Sequence, residues 1–76
     1  MRYYPHVSPW GLTPAQAAVM DALVEHGTNK AAARVLGISD KTIEQHSTNI
    51  GRKMRKHRFR SQRLIAWDRW RRGAAT

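Results

Sequence analysis

The chain has no cysteine, which excludes disulfides, thiolate chemistry and the zinc-finger sites that depend on sulfur ligands. No apolar run approaches the roughly 18 residues that would span a bilayer. The opening stretch MRYYPHVSPWG places no apolar core behind Arg2, so it does not read as a secretory signal. Nucleophile elbows, phosphate loops and glycine-rich nucleotide fingerprints are all missing. Neither an internal repeat nor a low-complexity tract is present. The expectation is a protein that is not an enzyme and carries no cofactor. Acidic residues are also scarce, five against fourteen lysines and arginines.

What is present is enough for one small domain: 76 residues, of which 41% are apolar, so folding rather than disorder is expected. A chain this short needs compact helices or a partner subunit to build a core. A soluble, cytoplasmic module is expected.

The net charge of +9 is unevenly spread. Residues 1–51 hold Arg2, Lys30, Arg34 and Lys41 against Asp21, Glu25, Asp40 and Glu44, and balance to zero. Residues 52–76 hold ten basic side chains against Asp68 alone, so this basic protein keeps its whole excess in its last third. A field of one sign attracts polyanions, here nucleic acid or an anionic membrane surface.

No segment alternates as a strand does, and the pattern predicts an all-α domain of four helices behind an extended N-terminal arm. The arm covers residues 1–11, where Pro5 and Pro9 forbid a continuous helix. Tyr3, Tyr4 and Trp10 are expected to pack it onto the domain. The first helix opens at Thr13-Pro14-Ala15-Gln16, a capping hydroxyl, a proline at the first helical position and a glutamine able to reach back. Leu12 and Ala17 have hydrophobic-staple spacing, Val19, Met20, Leu23 and Val24 form an apolar stripe, and Gly27 ends the helix. Asp21 and Glu25, four apart, read as a wet face. Thr28 caps a second helix over 29–36, which Gly37 ends, and Ser39 caps a third that begins at Asp40. Ile43, Ile50 and Met54 line that third helix, with Ser47 interrupting. Gly51 costs about 1 kcal/mol relative to alanine there and marks a place to fray or bend. A fourth helix is predicted over 61–72, with Leu64, Ile65, Trp67 and Trp70 among its arginines. Residues 12–72 thus form the domain, and 73–76 are expected to be a disordered tail.

Ala33, Gly37 and Ile43, with Ala32, Leu36 and Ile38 beside them, satisfy the demands of a helix-turn-helix. Alanine allows two helices to cross closely, glycine takes the positive-φ turn, and Ile43 drops into the shared core. The second helix of the pair is then presented outward.

Leu12-Thr13-Pro14, Gly27-Thr28-Asn29-Lys30, Leu36-Gly37-Ile38-Ser39 with Lys41-Thr42-Ile43, His46, and Asn49-Ile50 with Arg52-Lys53-Met54 together resemble the LuxR/GerE-type DNA-binding domain, the module of quorum-sensing activators and NarL-like regulators. The resemblance covers about residues 12–67. It implies four helices, the third in the major groove of double-stranded DNA and the fourth used for dimerisation, hence a transcription regulator, likewise dimeric, on an inverted-repeat site. Ala32 and Ser47 stand where the family has larger aliphatics, Glu44 where it often has lysine, and the connection from Met54 to Arg60 is one residue longer. With no receiver or ligand-binding domain ahead of it, the module is expected to stand alone.

Helical geometry places Lys41, Glu44, Gln45, Thr48 and Arg52 opposite Ile43, Ile50 and Met54. Glu44, Gln45 and Thr48 match family positions that face base edges. Glutamate accepts from cytosine, glutamine pairs with adenine, and threonine meets a thymine methyl or a base acceptor. Lys30, Lys41, Thr42, Asn49, Arg52 and Lys53 are expected to grip phosphates. Trp67 and Trp70, three apart, are expected to form an exposed patch at a homodimer interface, against a competing reading in which the N-terminal arm covers them. His6, His26, His46 and His57 have no metal-ligand spacing, and no metal is expected; His46 reads as structural. A different class of function remains open: a protein- or membrane-interaction module using the basic amphipathic C-terminal helix, including a sigma-factor-like domain that binds RNA polymerase.

Overall fold

The computed structural model describes residues 9–74; Tyr3, Tyr4 and His6 of the arm, and the end of the expected tail at 75–76, lie outside them. Among the described residues four α-helices and no strand are found: α1 Pro14–His26, α2 Asn29–Leu36, α3 Asp40–Lys53 and α4 Arg60–Ala74. The first three boundaries follow from local chemistry. Gln16 N–H donates to Thr13 Oγ1 at 3.2 Å and Thr13 N–H to Gln16 Oε1 at 3.0 Å, a complete capping box. Thr28 and Ser39 accept from the backbone of Ala31 and Thr42 at 3.1 Å each. Each such cap is worth about 1 kcal/mol. Gly37 ends α2 in the left-handed region, at φ 69°, and the chain turns through Ile38 and Ser39 directly into α3.

α1 touches all three other helices, which explains why its buried set is broad: Gln16, Val19, Met20, Ala22 and Leu23. Around it gather Ala32 and Ala33 of α2, Ile43 and Ile50 of α3, Met54 just past the end of α3, and Trp67 of α4. Ala32 is wholly buried. Its small side chain is what this close crossing accepts.

Three boundaries differ from the sequence reading. α3 runs through Gly51 to Lys53 without fraying. Ile50 and Met54 anchor it in the core on both sides of the glycine, and the Arg63 guanidinium lies over Gly51, 3.7 Å from where a Cβ would stand. These tertiary contacts offset the intrinsic cost of glycine. α4 starts one residue before Ser61, and Phe59 takes the capping position, its carbonyl accepting from Arg63 N–H at 3.1 Å. A distant contact helps to hold this start, since Arg60 Nη2 donates to the Gly27 carbonyl at 3.1 Å. At its other end α4 continues through Gly73 and Ala74, beyond the expected end at 72.

Candidate nucleic-acid interface

α3 has two unlike sides. Ile43 and Ile50 are buried, while Lys41, Glu44, Gln45, Thr48, Asn49 and Arg52 are exposed. Lys41 to Arg52 spans about 16 Å along the axis at 1.5 Å per residue, comparable with a major groove about 12 Å wide. The three candidate base readers are therefore together on one open face. Thr48 Oγ1 donates to the Glu44 carbonyl at 3.0 Å, which commits its proton to the helix and leaves its methyl and oxygen lone pairs as its recognition groups. His46, half-buried, lies off this face.

The six candidate phosphate ligands do not share one fate. Lys30 at the start of α2 is exposed, as are Lys41, Asn49 and Arg52. Thr42 is half-buried, and its hydroxyl shares a 2.9 Å hydrogen bond with that of Ser39. If Ser39 is the donor, the Thr42 proton is left for an outside acceptor. Lys53 is occupied: its Nζ donates to Gln16 Oε1 at 2.8 Å and to the Gly11 carbonyl at 3.0 Å. It ties the end of α3 to the start of α1, so gripping phosphate would require it to give up these bonds.

The fourth helix also departs from expectation. Trp67 is 0% exposed. Its indole N–H donates to Asp21 Oδ1 at 2.9 Å, and its ring lies 5.1 Å from Trp70 and 6.2 Å from Trp10, centre to centre. Trp10 also meets Trp70 at 6.3 Å and the edge of His57 at 6.1 Å. Trp67 is therefore a core residue of one chain and not part of an exposed patch; a buried indole needs an acceptor, and Asp21 supplies it. Trp70 is half-buried beside it. The residue of α4 that does expose apolar surface is Ile65, at 55%, on the side of the helix opposite Trp67.

Asp21 and Glu25 are not a merely wet face. Arg71 reaches Asp21 Oδ1 at 2.9 Å, Asp68 Oδ1 at 2.9 Å and Glu25 Oε1 at 3.6 Å, with its side chain only 11% exposed. Arg72 pairs with Asp68 at 3.0 Å. Sequence reasoning missed this hub; the available signal was a tryptophan on an apolar helix face, whose N–H required a partner in a chain with few acidic residues. Part of the basic amphipathic face expected of α4 is thus engaged within the chain, with Trp67 in the core, Trp70 half-buried beside it, and Arg63 and Arg71 bonded internally. No helix among the described residues is long and apolar enough to cross a membrane.

Residues 11–62, which take in α1, α2, the three-residue turn, α3 and the start of α4, match a family model for bacterial regulatory proteins of the luxR family. The chain belongs to the luxR family. Comparison with curated proteins and with solved structures gives no match. The luxR-family match takes in the capping box of α1, the turn at Gly37 and the whole of α3. It makes the chain a helix-turn-helix, DNA-binding regulator of transcription.

Proposed function

We propose that this luxR-family protein recognises a specific sequence in double-stranded DNA by placing α3 in the major groove, acting in the cytoplasm as a regulator of transcription. The observation that carries the reading is the open face of α3, where Glu44, Gln45 and Thr48 stand exposed beside Lys41 and Arg52. The trio reads base edges. Lys30, Lys41, Thr42, Asn49 and Arg52 orient the helix through phosphates.

The protein acts as a homodimer on an inverted repeat. Ile65 supports this, with Gln62, Arg69 and Arg72 exposed on the same side of α4. A single aliphatic flanked by arginines makes a weak contact, so the dimer assembles on DNA, whose phosphates neutralise the facing charges. Selection from a random duplex pool tests the reading. A palindromic motif is expected; recovery of no preferred sequence would overturn it. Sedimentation of Ile65→Asp on the selected duplex then tests the interface, with loss of the two-protomer complex expected.

A further inference from the structure

Nine of the ten basic side chains of residues 52–76 fall into two groups, and the tenth, Arg69, is exposed on α4. Lys53, Arg60, Arg63, Arg71 and Arg72 donate to carbonyls, an amide oxygen or carboxylates of their own chain. Arg52, Arg55, Lys56 and Arg58 are exposed, and no hydrogen bond or ion pair engages their side chains among the described residues. These four occupy seven consecutive positions, from the last turn of α3 into the connection to α4.

That connection is held in shape. Met54, at its start, is wholly buried, and His57 N–H donates back to the Met54 carbonyl at 2.9 Å. His57 rests against Trp10. Arg63 Nη1 donates to the carbonyls of both His57 and Arg58, at 3.2 and 3.0 Å. A buried methionine, an aromatic contact and a two-carbonyl clamp fix the backbone while three cations project from it into solvent. A solubilising tail would have no need of such support. Phosphate recognition benefits from it, because less freedom is lost when the contact forms.

We propose that the connection between α3 and α4 is a second phosphate-binding element, in which Arg55, Lys56 and Arg58 contact the DNA backbone beyond the groove that α3 enters, with Arg63 as the residue that positions them. The inference rests on the DNA-binding reading above. The ligand is duplex phosphate because the cluster is continuous with Arg52, on the exposed face of α3, and because three close cations suit a polyanion of regular charge spacing. Sequence is not read here. The connection adds affinity to every duplex alike.

The test uses the full chain and a 20-base-pair duplex of arbitrary sequence, with affinity measured from low to high salt. Each phosphate contact contributes about 0.9 to the slope of log affinity against log salt. The triple variant Arg55→Gln, Lys56→Gln, Arg58→Gln is expected to lower that slope by about 2–3, so that between 50 and 200 mM salt the wild type loses roughly 40-fold more affinity than the variant does. Arg34→Gln, which removes an exposed charge of α2 to which no DNA or dimer contact is assigned, is expected to leave the slope unchanged. Matching circular dichroism and melting temperature confirm that both variants fold. An unchanged slope in the triple variant, or an equal loss per charge in the Arg34 variant, overturns the assignment while leaving DNA binding by α3 intact. A wild type that does not bind the duplex overturns both.

Discussion

Helices α3 and α4 both carry charge and both turn one side toward the core, yet they use their polar residues in opposite ways. Along α3 the exposed side chains are mostly free of partners within the chain. Thr48 bonds only to its own helix, and Lys53 at the far end is the one whose charge is tied down. Among the described residues, four of the five arginines of α4 bond within the chain, Arg69 excepted. Arg60 holds the α1–α2 turn, Arg63 clamps the preceding connection, and Arg71 gathers three carboxylates beside a buried indole. The difference separates formal charge from usable charge. A net +9 advertises a polyanion partner, but five of the ten basic residues in the last third of the chain are committed to the fold.

If α4 is chiefly structural, changes there should fall on stability. Trp67→Ala removes the largest buried side chain and is expected to cost about 3–5 kcal/mol, read from urea unfolding. A loss below about 1 kcal/mol would make α4 peripheral and break the contrast. Arg71→Met leaves Asp21 and Asp68 without their shared cation and is expected to cost about 2 kcal/mol in the same measurement, with the salt slope of DNA binding hardly altered. A flattened slope at full stability would mean that Arg71 serves DNA instead.

The converse applies to α3. Gln45→Ala should leave unfolding unchanged and cost about 1–3 kcal/mol of binding on the selected site, flattening preference at one or two base pairs. If the preference profile is retained, the groove-facing side has been misassigned. Lys53→Met, the smallest effect, sharpens the boundary between the two helices. As a tie from α3 to Gln16 and Gly11 it should cost about 1 kcal/mol of stability. As a phosphate ligand it would instead lower the salt slope by about one without destabilising the fold.

This division also explains what the sequence made legible. The starts of α1, α2 and α3 could be read because Thr13, Thr28 and Ser39 act on neighbours three residues away. Gly37 imposes its turn through its own φ. The exposed trio of α3 followed from the spacing of Ile43 and Ile50. None of the misread features is local. The start of α4 is held by Arg60 against a carbonyl 33 positions earlier. Asp21 meets Trp67 and Arg71 across 46 and 50 positions. Gly51 kept its helix because of Arg63, twelve residues on, and Trp67 was assigned to the surface because helical spacing cannot tell which apolar stripe a small domain buries. Spacing orders the faces of one helix, but partners for long side chains are chosen across the whole fold.

The indole cluster has an optical consequence. All three tryptophans of the chain lie within one group, Trp10, Trp67 and Trp70, at centre-to-centre distances between 5.1 and 6.3 Å. None belongs to α3. Intrinsic emission therefore reports from the junction where the N-terminal segment meets α4, with its rings close enough for energy to pass among them. Denaturant should change its wavelength and intensity sharply. Docking of DNA on α3 alone should leave it nearly constant, whereas DNA contact at the α3–α4 connection, where His57 lies against Trp10, should alter the Trp10 contribution.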